Sequence, residues 1–287
     1  MAEHIKHMKD GIYEKVMSKE FADRLMEAIE AKKVWAERDD ADAYEATGYL
    51  SSYLEKLIRL CLKDIADRNT EAVLSDEIEL TNQLVEMLAE RLPDLGHGHS
   101  VVKNQFLLKS LEHVANKTSP RKWEYPDTSL TKSFLFTNSH NDTSMVSELR
   151  KEIMSADRID FLVSFIRFSG LALLLPYLRD FTNKGGHLRV ITTTYMGATD
   201  PKAVVELAKL PNTEIHISYN VKETRLHAKS YIFHRDSQFS TAYIGSSNLS
   251  HAAIAEGLEW NMKITEQDMP SIMEKMTATF ETYWNSD

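Results

Sequence analysis

The fold is decided by the stretch Arg225-Leu226-His227-Ala228-Lys229-Ser230-Tyr231-Ile232-Phe233. Its apolar, β-branched and aromatic residues, with no Gly or Pro among them, predict a β-strand. Because strand side chains alternate between two faces, His227 and Lys229 are expected on one face, which Arg225 and Tyr231 would share. An imidazole beside an ammonium suits a phosphate diester, since the imidazole can attack phosphorus while the ammonium holds a non-bridging oxygen.

The next stretch along the chain is Tyr243-Ile244-Gly245-Ser246-Ser247-Asn248-Leu249-Ser250. It predicts a second strand over Thr241 to Ile244, a strand-to-helix turn over Gly245 to Asn248, and a helix from Ser250 onward. Small residues in such a turn let a phosphate approach the backbone N–H groups at the helix start. Leu258 to Ile264 predict a third strand, which would carry Glu259.

Together these residues resemble the signature of the phospholipase D superfamily. In that signature His-x-Lys is followed by four residues and Asp, and then by a Gly-Ser-x-Asn turn. The matching residues are His227, Lys229, Gly245, Ser246 and Asn248. The Asp position falls on His234, a departure shared by a nuclease-like branch of the superfamily. In that branch a Glu after the turn supports the site, and Glu259 stands where that Glu is expected.

Further segments look like the phospholipase D-like nuclease domain at the N-terminus of some bacterial superfamily II DNA helicases. They are Ile159–Ile166, Arg189–Asp200 and Gly257–Asn261. The resemblance covers roughly residues 134 to 285. It implies a nuclease rather than a lipid-processing enzyme.

The resemblance implies four catalytic residues. His227 would be the nucleophile and Lys229 a phosphate ligand, while Asn248 and Glu259 would support the site. Each has a structural alternative that the sequence leaves open. His227 could be a core histidine, Asn248 could cap a helix, and Glu259 could be a surface strand residue. A Lys within an apolar strand needs a reason, because unpaired buried Lys is rare.

Three further residues are expected to bind substrate. Arg225 would share the face of His227 and reach a phosphate, with a salt bridge as its alternative. Ser246 lies in the turn, where it could also serve turn geometry alone. Thr193 ends a predicted strand at the sheet edge where α/β sites open, although β-branched residues also simply fill strands. Tyr231 and Trp260 are interpreted as core residues.

The chemistry of the resembled family needs two histidines, and only His227 lies in a qualifying His-x-Lys. In single-motif relatives two chains pair so that both motifs face one site. The resemblance therefore implies a homodimer with one shared active centre and no metal or other cofactor. His97-Gly98-His99 lacks a third ligand at metal-binding spacing and is interpreted as a loop.

Three functions remain open from the sequence. The first is a nuclease acting on nucleic acid, DNA rather than RNA. The second is a catalytically silent module that binds nucleic acid or docks a helicase, which the missing Asp motivates. The third, a lipid phosphodiesterase, is disfavoured because no signal-peptide core, basic amphipathic helix or second motif occurs. No Walker motif is present, so an ATPase is expected in a partner or in a helicase segment beyond this sequence.

Composition sets further bounds on the 287 residues. Cys61, the one cysteine, excludes an internal disulfide framework and predicts a cytoplasmic protein. No apolar run approaches the ~20 residues of a membrane span, so no membrane association is expected. The net charge of −9 lies wholly in residues 1–100, and residues 101–287 hold 21 basic and 21 acidic residues. Nothing electrostatic therefore excludes DNA from the predicted site.

The predicted organisation has three parts. Residues 1–115 form a helical region, which includes a predicted helix from Val101 to Val114. Residues 116–132, polar and containing two prolines, are interpreted as a linker. Residues 133–287 alternate β and α segments and predict a phospholipase D-like α/β catalytic domain, with a mostly parallel sheet and helices on both faces.

Overall fold

The chain is divided into two compact units, residues 1–111 and 112–287. We analysed a computed structural model, which describes residues 9–38, 40, 42–68, 71–92, 97–112, 123–137, 139, 143–219, 226–256 and 259–286. The division lies close to the predicted end of the helical region at residue 115.

The first unit is helical, as predicted. It contains α1 (Lys19–Glu30), α2 (Ala43–Asp67) and α3 (Val73–Ala89). Ser18 caps α1 by accepting a hydrogen bond from the backbone N–H of Phe21 at 3.3 Å. The predicted helix from Val101 is wrong over residues 101–112, which are irregular, while Val114 lies outside the described residues.

Hydrogen bonds from Asn82 fix the start of the segment at Val101. Asn82 on α3 holds the backbone of Val101, accepting from its N–H at 2.7 Å and donating to its carbonyl at 3.1 Å. This contact gives the segment after α3 an irregular path, which apolar periodicity alone does not predict.

None of the helices within the described residues combines the length and apolar composition needed to cross a membrane.

The second unit alternates strands and helices and confirms the α/β class. Its elements are β1 (Phe134–Phe136), α4 (Met145–Ser155), β2 (Arg158–Val163), α5 (Phe168–Asn183), β3 (His187–Thr193), α6 (Pro201–Ala208), β4 (Thr213–Ser218), β5 (Lys229–His234), β6 (Thr241–Gly245), β7 (Asn261–Thr265) and α7 (Pro270–Trp284). Ser144 caps α4, and Asp200 caps α6 with Pro201 at its first position. Helix α5 begins at Phe168, with Arg167 at its N-cap position and no side-chain cap hydrogen bond.

The sheet is mixed, with the order β1-β7-β6-β5-β2-β3-β4 in the part of the chain that the structure describes. Strands β2, β3 and β4 pair in parallel, whereas all other neighbours pair antiparallel. The prediction of a mostly parallel sheet is therefore wrong. Only the short connection of residues 235–240 separates β5 from β6, and such a connection permits antiparallel pairing but not a parallel crossover.

Helices cover both faces of the sheet, as predicted. One core lies between the sheet and α4, α5 and α6, and includes Phe161, Tyr231 and Tyr243. A smaller core lies against α7 and includes Ile232 and Phe280. Alternation along β5 therefore places Lys229 and Tyr231 on the α4–α5 face, while His234 points towards the α7 face.

Part of the predicted linker is packed against the second unit. The backbone N–H of Asp127 donates to Glu148 on α4 at 2.6 Å, and the hydroxyl of Thr128 donates to the same carboxylate. Lys263 on β7 donates to the Thr128 hydroxyl at 2.9 Å. Residues 127 and 128 thus behave as part of the α/β unit rather than as a linker, because a buried carboxylate requires their donors.

A network of buried charges joins α4 to β6 and β7. Lys263 is fully buried and lies 2.9 Å from a carboxylate oxygen of Glu148 and 2.9 Å from one of Glu152. Arg235 forms a salt bridge with Glu152, and the Tyr243 hydroxyl donates to it at 2.6 Å. Two carboxylates and two cations therefore balance within the core, as buried charges require.

Burial by itself would raise the pKa of Glu152, but Arg235 and Lys263 outweigh it and bring the pKa to about 2. This pKa lies below the value of about 4.3 for Glu in an unfolded chain. The ionised network therefore contributes its full stabilisation at pH values above about 4.3. The stabilisation is lost as the pH falls from the unfolded value towards 2.

We predict that Lys263→Met lowers the free energy of unfolding by about 3–5 kcal/mol, because it leaves two buried carboxylates with Arg235 alone. Urea unfolding at neutral pH measures the change. Lys184→Met is the matched control: it removes an exposed cation paired with Asp180 at 2.6 Å and is expected to cost less than about 1 kcal/mol. Equal losses in the two variants would contradict the assignment.

Candidate active site

The strand directions bring five strand ends to one side of the sheet. We call this side, formed by the carboxyl ends of β2, β3 and β6 and the amino ends of β5 and β7, the site edge of the sheet, or simply this edge. Because β5 runs antiparallel to β2, Lys229 at the start of β5 pairs with Val163 at the end of β2. Because β6 and β7 each reverse again, the end of β6 and the start of β7 reach the same edge, where Gly245 pairs with Asn261. The end of β3, at Thr193, lies beyond β2 on this edge.

Lys229 is the buried cation of this edge. Only 8% of the residue is exposed, and its Nζ donates to the backbone carbonyl of His227 at 2.8 Å. The adjacent Ala228 carbonyl accepts from the hydroxyl of Ser164, which follows β2, at 3.4 Å. The ammonium is thus held beside the backbone of His227, where a carbonyl and an anionic neighbour offset its burial.

His227 lies just outside the strand rather than on it. The strand begins at Lys229, so the prediction that it begins at Arg225 is wrong over Leu226 to Ala228. His227 is exposed, whereas the strand residues after it are buried. The imidazole is accessible to a substrate for this reason, which simple alternation along a strand does not predict.

Glu259 acts on Lys229 through its charge. Burial lowers the pKa of Lys229, and the negative charge of Glu259 works in the opposite direction. Glu259 is half-buried and precedes β7 by two residues, so the prediction that it lies on the strand is wrong. The residue is nevertheless close enough to the ammonium to favour its charged form.

The Gly-Ser-Ser-Asn turn is held by backbone and side-chain hydrogen bonds. Ser246 extends the β6–β7 ladder by one pair, since its N–H donates to the Trp260 carbonyl at 3.1 Å. Asn248 is buried, and its Oδ1 accepts from the backbone N–H of Phe165 at 3.2 Å. Asn248 therefore links the turn to the segment that follows β2. A Cβ on Gly245 would lie 2.1 Å from the Trp260 carbonyl, so only glycine fits there.

Asn261 is a further site residue that the sequence reasoning missed. It is 1% exposed, donates to the Ser247 hydroxyl at 2.7 Å and accepts from the Ser247 N–H at 3.4 Å. The hydroxyl of Ser247 in turn donates to the Ala253 carbonyl at 3.1 Å. Asn261 thus positions the turn. The signal available in the sequence was its place two residues after Glu259, at the start of the predicted strand segment that follows the turn.

The segment after the turn differs from the predicted helix. His251 is followed by a single π-helical turn, Ala252–Glu256, a form that is rare and recurs at functional sites. Gly170 on α5 permits this segment to approach, because a Cβ there would lie 2.5 Å from the Ser250 backbone. Packing against α5 therefore shapes the segment, in place of ordinary helix propensity.

The two aromatic residues interpreted as core differ. Tyr231 is 1% exposed and donates to the Ser247 carbonyl at 2.9 Å, so this prediction is confirmed. Burial, together with the charge of Glu259, raises the pKa of its hydroxyl. Trp260 is 66% exposed, so the core prediction is wrong. Its backbone is bound to Ser246, and the ladder directs the indole to the face occupied by half-exposed Met262.

The three predicted substrate-binding residues have different surroundings. Arg225 lies outside the described residues. Ser246 is exposed in the turn, and its hydroxyl accepts from the Trp260 N–H at 3.2 Å. Thr193 is 2% exposed, and its hydroxyl already donates to the Ser218 carbonyl and accepts from the Tyr195 N–H. Substrate binding by these residues stays a prediction, and the geometry of Thr193 favours a role in ending β3.

His234, which stands where the family signature has Asp, lies far from the predicted nucleophile His227. His234 ends β5 on the opposite face from Lys229, about 17 Å along the strand at ~3.3 Å per residue. Its Nε2 hydrogen-bonds Asp160 on β2 at 2.7 Å. Arg189 also binds that carboxylate through two hydrogen bonds of 2.7 Å. A carboxylate is therefore present here, supplied by Asp160 of the adjacent strand.

The Asp160 carboxylate stays ionised. Burial would raise its pKa, but the hydrogen bonds from His234 and Arg189 outweigh burial and lower the pKa below its usual value. Arg189 also binds Glu281 on α7 at 2.6 Å, and Arg158 lies 3.3 Å from Asp160. This cluster fastens α7 to the sheet and makes no contact with the edge that carries Lys229.

Solved structures provide comparisons for about half of the chain. NucT from Helicobacter pylori is 18% identical, with 53% of this chain and 94% of that chain covered and a TM-score of 0.41. Nuc from Salmonella typhimurium, a phospholipase D family member, is 18% identical over 54% and 94%, with a TM-score of 0.40. Yeast tyrosyl-DNA phosphodiesterase is 12% identical over 46% and 31%, with a TM-score of 0.32.

No curated protein gives a significant match to this sequence. Residues 149–284 match the family model described as cardiolipin synthase, PLD-like domain. This range contains the strand end with Lys229, the Asn248 turn and Glu259. The match agrees with the resemblance to the phospholipase D superfamily that the sequence motifs indicated. Residues 149–284 of the chain are therefore similar to phospholipase D-like domains.

Proposed function

We propose that this protein is a metal-independent nuclease that hydrolyses nucleic-acid phosphodiester bonds, in DNA rather than RNA. One observation carries the proposal. The buried ammonium of Lys229 lies against the backbone of exposed His227, at the sheet edge where the Asn248 turn and Glu259 also meet. A nucleophile beside a fixed positive charge is the arrangement that attack on a phosphate diester requires.

In the proposed first step, an imidazole nitrogen of His227 forms a bond to phosphorus and the bond to the leaving oxygen breaks. Lys229 binds a non-bridging oxygen and stabilises the charge that grows on it. A phosphate there would replace the His227 carbonyl as a partner of the ammonium. The product of this step is a phosphohistidine with the leaving strand displaced.

The leaving oxygen needs a proton, and a second imidazole supplies it as general acid. We propose that this imidazole is His227 of a second copy, so that a homodimer shares one active centre. The same imidazole then takes a proton from water, which attacks the phosphohistidine and releases the phosphate product. Two copies of Lys229 and the backbone N–H groups of the turn supply the positive charge, and this chemistry uses no metal ion.

The proposed substrate is nucleic acid because the resembled helicase-linked domains are nucleases. The α/β part carries no net negative charge that would repel DNA, since residues 101–287 hold 21 basic and 21 acidic residues. A helicase or ATPase partner is part of the proposal, because the resembled domains are linked to helicases and no Walker motif occurs in this sequence. The single, exposed Cys61 fits a cytoplasmic setting.

The alternative function is a catalytically silent module that binds nucleic acid or docks a helicase. The missing Asp of the signature motivated it. The place of that Asp is His234, which lies on the other sheet face from Lys229 and is bound to Asp160. This geometry favours the catalytic proposal, because the departure alters a structural cluster and leaves the reacting groups in place.

We predict that His227→Ala abolishes plasmid nicking in EDTA, with a loss beyond the ~10²–10⁴-fold of a general acid or base alone. Quenching wild-type protein with labelled DNA should leave an alkali-stable, acid-labile phosphoryl adduct that His227→Ala lacks. His187→Ala is the matched control, since His187 is half-exposed and lies at the opposite ends of the strands, paired with Glu214. This control should nick and form the adduct normally.

Three results would count against this mechanism. An adduct or full nicking in His227→Ala would remove His227 as nucleophile. Activity lost in EDTA and restored by magnesium would indicate a metal-bound water instead. A monomer by light scattering that retains activity would contradict the shared site.

We predict that Glu259→Gln moves the alkaline limb of the pH–rate profile to lower pH. Lys229 must be charged to bind phosphate, and Glu259 opposes the lowering of its pKa by burial. Without that carboxylate the pKa falls further, so the ammonium loses its proton at a lower pH. Cleavage rates across the alkaline range measure the shift, with exposed Glu274→Gln on α7 as the control. A limb that stays in place or moves upward would refute this role.

We predict that His234→Asp, which restores the family signature, lowers stability by about 1–3 kcal/mol and does not raise activity. The cluster around Asp160 already balances two carboxylates with Arg158 and Arg189. A third carboxylate would leave an excess negative charge. His234→Gln, which keeps a neutral donor towards Asp160, is the control and should lose less. Faster cleavage by a fully folded His234→Asp protein would contradict this interpretation.

A further inference from the structure

We propose that a basic rim next to the Asn248 turn binds the phosphates of nucleotides flanking the scissile bond, so that the substrate is a polynucleotide strand. The basic rim consists of Phe165, Arg167, Phe168 and Lys202. The inference rests on the proposed nuclease function and adds to it a surface that extends beyond the reacting phosphate.

The basic rim is tied directly to the candidate active site. Asn248 accepts from the backbone N–H of Phe165 at 3.2 Å, and the Leu249 carbonyl accepts from the backbone N–H of Arg167 at 2.8 Å. Ile166, between them, forms a parallel bridge with Leu249. The first two rim residues are therefore placed by the same turn that lies beside Lys229 and Glu259.

The other side of the rim is held by Asp200, the cap of α6. The Asp200 N–H donates to the Ile166 carbonyl at 2.7 Å, which joins α6 to the rim. Its carboxylate accepts from the backbone N–H of Lys202 at 2.9 Å and from that of Phe168 at 3.4 Å. These bonds to backbone N–H groups engage the carboxylate in capping and fix Lys202 next to Phe168.

Both rim cations are exposed and rest on aromatic rings. The Lys202 ammonium lies 3.8 Å from the centroid of the Phe168 ring, and the Arg167 guanidinium lies 5.9 Å from that of Phe165. Both rings are partly exposed. Such contacts orient a cation at a cost to its mobility but leave its outer side open to an anion.

These cations differ from other exposed lysines in this unit. Lys184 pairs with Asp180 at 2.6 Å, and Lys209 pairs with Glu206 at 2.7 Å. Over the residues that the structure describes, neither Arg167 nor Lys202 forms a salt bridge, although the charge of Glu206 acts on Lys202. The outer side of each rim cation is therefore open to a phosphate of a bound strand.

The charged groups of the rim favour a polynucleotide over a lipid. A nucleic-acid strand presents a series of phosphates, and more than one cation along its path can each bind one of them. A phospholipid offers one headgroup phosphate and requires an apolar surface for its chains. The rings of the basic rim lie beneath cations, so they do not form such a surface. A strand bound at Lys229 would continue past Asn248 onto the rim.

The test measures binding separately from cleavage. In the full chain carrying His227→Ala, we compare Arg167→Ala/Lys202→Ala with the control Lys184→Ala/Lys209→Ala, which removes two exposed but paired cations. Fluorescence anisotropy of a labelled single-stranded oligonucleotide should show roughly tenfold weaker binding for the rim variant at low salt. The slope of log affinity against log salt concentration should fall in magnitude by about 1.4, about 0.7 for each lost phosphate contact on a single strand.

A second measurement addresses cleavage with His227 intact. The rim variant should lose at least about tenfold more kcat/KM on the oligonucleotide than on bis(p-nitrophenyl) phosphate, which has no flanking phosphates. If neither substrate is hydrolysed by any variant, the proposed nuclease function fails, while the binding loss still supports the rim. If both substrates are cleaved and the rim variant loses no more kcat/KM on the oligonucleotide than on bis(p-nitrophenyl) phosphate, the rim proposal fails. The proposed nuclease function is retained in that case.

Two controls distinguish phosphate binding from a structural role and from membrane binding. Arg167→Lys/Lys202→Arg keeps both charges and should bind the oligonucleotide within about threefold of the parent, whereas loss in this variant would indicate a structural role. Vesicles containing phosphatidylglycerol test the lipid alternative. If the alanine variant loses vesicle binding but keeps oligonucleotide binding and its salt slope, the ligand is a membrane surface and the proposal is overturned.

Discussion

The antiparallel pairing of β5 with β2 is the constraint on which the candidate site depends. It sets Lys229 opposite Val163, so that the start of one strand and the end of the other share an edge. The reversals into β6 and β7 then bring the Asn248 turn and Glu259 to the same edge. A parallel crossover in place of these reversals would have moved the turn to the other end of the sheet.

The two buried charge clusters leave this edge free for chemistry. Glu148, Glu152, Arg235 and Lys263 neutralise one another beneath α4, and Asp160 and Arg189 do so beneath α7. Each fastens a helix to the sheet and pairs its carboxylates with cations. Lys229 is different, because a backbone carbonyl and the nearby charge of Glu259 are the interactions that offset its burial. A phosphate would complete its coordination, which links the proposed function to an electrostatic need.

The Asn248 turn connects the reacting groups to the proposed rim. Asn261 holds the turn from β7 through Ser247, and Phe165 holds it from β2 through Asn248. Arg167 and Lys202 follow on the same edge, on elements joined by Asp200. The proposed phosphate binding at the site and along the rim would therefore depend on one set of hydrogen bonds.

The sequence by itself determined the elements and the chemical groups. Strand composition, the Asp200-Pro201 helix start and the His227, Lys229, Asn248 and Glu259 signature are local features, so they could be predicted. The tertiary structure decided what depends on contacts between distant segments. These are the mixed sheet direction, the exposure of Trp260, the replacement of the signature carboxylate by Asp160, and the placing of Arg167 and Lys202 beside Asn248. No local pattern encodes these features, because each arises from hydrogen bonds or packing between residues far apart in the chain.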